Sequence, residues 1–260
     1  METLRGEPDD RQLKRLLAER AREAGFDGVR VAPADLGASH KERLRAWLNA
    51  GMHGEMSYME RIAEQRAHAR TVLEGARSVL VFAAPYHPGN RTCDTVQAAG
   101  TASPVVRVAR YALGEDYHFV LRDRLAPLVK WLDSVRPGHR WRICIDSAPL
   151  LERAFAAAAG LGFFGKNSLL IIPRLGSYML LAEIVTTAEI EPDPPITGTC
   201  GNCTRCLDAC PTGAITAPGT VDARRCLSYL TIEKKSPLTP EESASVAESG
   251  WVFGCDICQE

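Results

Sequence analysis

The segment "CGNCTRCLDACP" sets Cys200, Cys203, Cys206 and Cys210 in the order C-x2-C-x2-C-x3-C-P, the spacing with which bacterial chains ligate iron–sulfur clusters. Three thiolates two residues apart can wrap one face of an iron–sulfur cube. The fourth, turned away by the proline behind it, serves a neighbouring cube. Zinc is the poorer match, because a structural zinc site takes two cysteine pairs well separated in sequence, and thiols this close would crowd one tetrahedral ion.

Two-cluster logic then assigns the other thiols of the last quarter of the chain, Cys226, Cys255 and Cys258. With Cys210 they make the set for one cluster. Cys200, Cys203 and Cys206 begin the other and need one more cysteine, which the pattern of "CDICQE" places beyond residue 260. Seven of eight ligands are thus expected here, and the chain is expected to be part of a longer protein. Cys144, in an apolar strand pattern, and Cys93, in a turn, are expected to be buried or incidental thiols.

Two other stretches imitate chemical motifs. "GLGFFGKN" at 160–167 satisfies G-x-G-x-x-G, yet its glycines end a helical pattern and lead into an apolar run, whereas a phosphate loop follows a strand and opens a helix. "DYHFVL" at 116–121 is half of a D-x-H-x-x-G cobalamin-ligand motif with leucine where glycine is needed, so His118 is expected on a helix surface. The histidines form no paired zinc spacing.

The elements that must position these residues alternate. "RQLKRLLAERAREAGF" carries Leu13, Leu16, Leu17 and Ala21 at helical spacing and stops at Gly25. "SVLVFAAPY" is a buried-strand pattern. "DYHFVLRDRLAPLVKWLDSV" is the longest helical pattern, followed by a strand at "RICI", a helix at "LLERAFAAAAG" and apolar runs at "SLLII" and "YMLLAEIV". After "EIEPDPPITGT", a proline-rich connector, the cysteine-rich segment begins. A domain of 1–190 and a second of 191–260 are expected, of α+β class, with a mixed sheet flanked by helices in the first and a ferredoxin-like two-cluster fold in the second.

Composition sets outer bounds. With 31 basic and 32 acidic side chains the net charge is −1, which gives no global attraction to nucleic acid or anionic membrane. The charged N-terminus and the lack of a long apolar window predict a cytoplasmic protein with no membrane partner.

Taken together, "RYALGEDYH", "IDSAPLLERAFAAAAGLGFFGKNSLLI", "GSYMLLAEIVTT", "CGNCTRCLDACPTGAI", "RRCLSYLTIE" and "VFGCDICQE" resemble the epoxyqueuosine reductase family. The resemblance implies a cobalamin-dependent enzyme with two 4Fe-4S clusters, which reduces the epoxide of epoxyqueuosine at the tRNA wobble position to give queuosine. It implies a cobalamin-binding catalytic domain before residue 190, tRNA as partner, an external low-potential electron donor, a monomer, and helical repeats in relatives that help hold the tRNA. Asp146, in "CIDSAP", matches the family's proton donor; read without the family, Asp146 is equally a helix N-cap. Arg66 matches a position that contacts cobalamin. Ala109 aligns with a position near cobalamin where relatives carry serine or cysteine. Lys166, Asn167 and Ser168 fall in the segment lining the family's cofactor pocket. The alternative readings are a reductive dehalogenase-like enzyme and a ferredoxin-type electron carrier.

Overall fold

The computed structural model describes residues 7–86, 95–96 and 106–260, so Cys93 lies outside the described residues. The first half runs α1 (Asp10–Glu23), β1 (Gly28–Pro33), α2 (Ala38–Asn49), α3 (Tyr58–Arg61), β2 (Ser78–Pro85), β3 (Thr95–Val96), β4 (Val106–Val108) and α4 (Tyr117–Val135). Next come β5 (Trp141–Cys144), α5 (Glu152–Ala158), β6 (Phe163–Phe164), β7 (Leu170–Ile171) and β8 (Met179–Thr186). The cysteine-rich part adds α6 (Arg205–Ala209), β9 (Ile215–Ala217), β10 (Thr220–Val221), α7 (Leu227–Ile232), α8 (Pro240–Ser249) and β11 (Trp251–Phe253).

The main sheet has the strand order β1-β2-β8-β5, and its three pairings are all antiparallel. The mixed pairing expected from the sequence occurs in the small sheet β11-β4-β3, where β11 runs parallel to β4 and β3 antiparallel to it. Helices cover both faces of the main sheet. On one, Leu13 and Leu17 of α1 and Leu121, Leu125, Leu128 and Leu132 of α4 pack on Leu80, Phe82 and Ile184. On the other, Phe155 and Ala156 of α5 pack on Val79, Val81, Cys144 and Val185. A strand buried on both sides reads as a continuous apolar run, which is why "SVLVFAA" shows no alternation.

Local rules set the element ends. Asp9 accepts a hydrogen bond from the Gln12 amide at 2.8 Å and starts α1. Thr239 and Glu242 form a reciprocal capping box at α8, which begins with Pro240 and ends on Gly250 in the left-handed region. The glycine-rich "GLGFFGKN" folds into the hairpin of β6 and β7, with no helix following it. A Cβ on Gly162 would stand 2.6 Å from the Ile171 carbonyl, so that glycine allows the two strands to close.

The cysteine-rich part shares a core with the first part. Trp251 and Leu227, Tyr229 and Leu230 of α7 pack with Ala109, and Trp47, Met56 and Tyr111 border them. The Trp47 indole donates to the Val221 carbonyl at 2.7 Å, and the Tyr229 hydroxyl accepts from the Glu55 amide at 2.7 Å. Among the described residues no helix is long and apolar enough to cross a membrane.

Candidate active site and metal centre

All eight described cysteines are free thiols; Cys144 is buried in the main-sheet core, and the other seven fall into two groups. Cys206 is faced by Cys200 and Cys203. Cys258 is faced by Cys255, Cys226 and Cys210, and Cys255 by Cys226 and Cys210. The charge of Cys206 also acts on Cys258, so the two groups lie within electrostatic range of each other. Burial, and then repulsion from the surrounding thiolates, pushes Cys255 and Cys258 up to about 12. Four thiolates share such a space only when a positive centre draws off their protons. Among the described residues no three Cys, His, Asp or Glu converge as ligands of a single ion. A four-iron cube holds its thiolates further apart than one zinc does, so this donor set fits a 4Fe-4S cluster.

Polar ties hold these loops from outside. Lys166 Nζ donates to the carbonyls of Gly201 and Cys203 at 2.9 and 2.8 Å. Asn167 Nδ2 donates to the Cys258 carbonyl at 2.7 Å, and its Oδ1 accepts from the Leu169 amide. Asp256, between the last two cysteines and 2% exposed, accepts from the Arg110 amide and from Gln259 Nε2, each at 2.8 Å. The side chains of Lys166 and Asn167 are thus committed to the cysteine loops. Ser168, at φ 64°, accepts from Arg153 through its carbonyl.

Asp146 lies on the loop between β5 and α5, at φ 49°. It is not the cap of α5: that position is Leu151, with no side-chain hydrogen bond. Its carboxylate is exposed, and Oδ2 accepts from the Tyr117 hydroxyl at 2.8 Å, with His118 Nε2 at 3.5 Å. His118, expected on a helix surface, therefore sits at the candidate acid, stacked on Tyr117 with ring centroids 4.1 Å apart. Burial, and then the bond to Asp146, raises the Tyr117 phenol. Burial, then the Asp146 charge, raises Tyr111, and Tyr58 stands at about 12 through burial and Glu233. All three phenols remain hydrogen-bond donors at neutral pH.

These phenols border an aromatic face. Tyr111 meets Tyr117 edge-on at 6.1 Å and Phe253 at 6.3 Å, and Phe253, Tyr58 and Leu113 are exposed. The face runs from Asp146 to the segment of Cys255 and would suit a broad, flat, largely apolar ring such as a corrin. Ala109 is buried beneath it; a Cβ on Gly254, at φ +69°, would come 2.5 Å from the Ala109 methyl. Arg66 is buried, donates to the Tyr58 carbonyl at 3.1 Å, and accepts from the Leu151 amide through its own carbonyl. A cleft of about 220 Å³ opens beside Tyr86, Tyr111 and Tyr117. A larger cavity of about 640 Å³, lined by Lys14, Asp27 and Arg174, contains none of the predicted site residues.

Sequence reading missed Tyr117, Tyr111, Tyr58 and Asp256. The one available sign was "DYH" at the head of the longest helix, where a polar pair sits within reach of a strand end.

Two family models match the chain: "4Fe-4S double cluster binding domain" over residues 199–260 and "Epoxyqueuosine reductase QueG, DUF1730" over 66–147. The epoxyqueuosine reductase of Gloeobacter violaceus is 45% identical over 244 residues, which is 94% of this chain and 73% of the relative. That of Pseudomonas aeruginosa is 40% identical over 254 residues, covering 97% and 68%. Among solved structures, an epoxyqueuosine reductase with an epoxyqueuosine-modified tRNA-Tyr stem loop superposes with a TM-score of 0.85 at 37% identity. The Bacillus subtilis enzyme, seen with its catalytic aspartate loop swung out of the active site, gives 0.83 at 36%. Each of these two matches covers 96% of this chain and 64% of the solved one.

Proposed function

This chain belongs to the epoxyqueuosine reductase family, and from that premise we propose that it deoxygenates epoxyqueuosine in tRNA to queuosine. The observation that carries the reading is Asp146, an exposed carboxyl held by Tyr117 at one end of an aromatic face whose other end is the cysteine segment. Turning an epoxide into an alkene takes two electrons and two protons and releases water. The cysteine groups supply the path for electrons, which an external low-potential donor provides. Cobalamin, when bound, supplies a cobalt centre that can work on the epoxide carbon.

The remaining work belongs to the chain's own side chains. Asp146 delivers a proton to the departing oxygen. Tyr117 holds its Oδ2, and the phenols of Tyr58 and Tyr111 keep the surroundings donor-rich, which favours negative charge on that oxygen. Residues 1–190 form the cobalamin-binding catalytic part and 191–260 the two-cluster part. Lys166, Asn167 and Ser168 serve the cofactor indirectly, by fixing the cysteine loops and through their backbone, while Arg66 and Ala109 support the aromatic face from below. The relative solved with a modified stem loop, and the relative whose catalytic aspartate loop was seen displaced, support tRNA as substrate and Asp146 as acid.

The test is single-turnover reduction of an epoxyqueuosine-bearing tRNA stem loop by protein reconstituted anaerobically with iron, sulfide and cobalamin, followed as loss of one oxygen mass from the nucleoside. Conversion supports the reading. Absence of conversion by protein whose cluster and cobalamin contents are complete overturns it.

A further inference from the structure

Glu183 is the outlier of the main sheet. It lies in the middle of β8, opposite Val81 of β2 and Cys144 of β5, with no solvent exposure. Its neighbours of the same parity, Leu181 and Val185, pack into the core under α5, so Glu183 points the same way. Neither of its oxygens has a hydrogen-bond donor among the described residues; the group that acts on it most strongly is the carboxyl of Glu152, at the first turn of α5, the helix packed over this face of the sheet. Two carboxylates in contact hold together only when one carries a proton. Glu152 in turn accepts the backbone N–H of Asp146 on Oε1.

We propose that Glu152 and Glu183 are a carboxyl pair bridged by one shared proton, and that this pair positions Asp146; the inference rests on the reading of Asp146 as the acid. Asp146 occupies the left-handed region, where a non-glycine residue is held only by its surroundings. Two bonds hold it: the Tyr117 hydroxyl on its side chain and the Glu152 carboxyl on its amide. Glu152 can aim Oε1 at that amide because the shared proton ties its carboxyl to Glu183. Removing the proton sets two negative charges side by side in the core, drives Glu152 away and releases the loop. The groups facing the pair are Asp146 from the loop, Cys144 from β5 and Arg153 from α5. Arg153 is the one cation among them, and it is exposed and spends a donor on the Ser168 carbonyl. Burial, with Asp146 next, raises Glu152 to about 7, and burial with Glu152 next raises Glu183 well above the carboxylate range.

The experiment compares the wild type with Glu183→Gln, Glu183→Leu and Asp146→Asn in the full chain carrying its clusters and cobalamin. Infrared difference spectra of the wild type should show the carbonyl stretch of a protonated carboxyl near neutral pH, lost in Glu183→Gln. Amide hydrogen exchange of the peptide 143–152 should speed severalfold in Glu183→Leu, and turnover should drop by up to about 10²-fold, the cost that a misplacement of about 1 Å caused far from the reacting atoms can carry. Glu183→Gln, which donates to Glu152 without a shared proton, should move the alkaline limb of the pH–rate profile to higher pH. A spectrum unchanged by Glu183→Gln, or exchange in Glu183→Leu equal to wild type, overturns the pair. Full turnover in Asp146→Asn overturns the acid assignment instead, and the spectra and exchange rates still decide the pair.

Discussion

At the scale of single residues, Asp146 offers the cleanest separation of shape from chemistry. Asparagine tolerates the left-handed region as well as aspartate does, and its amide can accept from Tyr117, but it has no carboxyl proton to give. Asp146→Asn should therefore lower turnover by about 10²-fold or more, the usual scale of a lost general acid, while cobalamin content and melting temperature stay level. Glu183 makes a prediction about stability. Its carboxyl is raised in the fold relative to the unfolded chain, so its contribution is complete below the unfolded value of about 4.3 and drains away as pH climbs through the folded one. Glu183→Gln should melt higher than wild type at pH 8 and lose that advantage at pH 5, by a few degrees at about 2–4 °C per kcal/mol. Asp146 was legible only through the family resemblance, because an acid between a strand and a helix is by itself equally a helix N-cap. Glu183 was passed over, because one charge inside "YMLLAEIVTT" leaves the segment reading as an apolar run and its partner lies on another element. Tyr117 was missed because its target stands 29 residues away along the chain.

Among elements, the hairpin of β6 and β7 does work out of proportion to its length. Its turn carries Lys166 and Asn167, which bridge to both cysteine loops. Lys166→Met keeps the stem and removes the two charge-assisted bonds, each worth about 1.5–3 kcal/mol. Iron and sulfide per chain should fall and the clusters should bleach faster in air, measured by metal analysis and visible absorbance; contents equal to wild type would show that the cysteine loops hold themselves. The long elements were readable from periodicity alone. Leu13, Leu17 and Ala21 repeat at helical spacing in α1, and the unbroken apolar run of β2 marks a strand covered on both sides. Strands of two or three residues, such as β4, β6, β7 and β11, are too short to have a period, and their pairings are fixed by tertiary contacts instead.

Over the whole molecule, the composition break near residue 190 marks a change of chemistry, while the two parts remain joined in structure. Trp251 of β11, fully buried and with Arg107 lying 5.3 Å from its ring centre, packs in one core with Ala109 and Leu227. Trp251→Ala should cost about 3–5 kcal/mol and loosen both parts together, visible as a single lowered melting transition. Two separate transitions would show that the parts fold independently. This shared core was invisible in the sequence because its members come from segments more than a hundred residues apart.

The strand order has its own consequence for how the protein is made. β2 pairs on one edge with β8, about a hundred residues later in the chain. At roughly 5–20 residues per second, a ribosome leaves that sticky apolar edge without its neighbour for several seconds. Yield in a foreign host should then follow the supply of holdase chaperones and the growth temperature more closely than it follows iron or corrin in the medium.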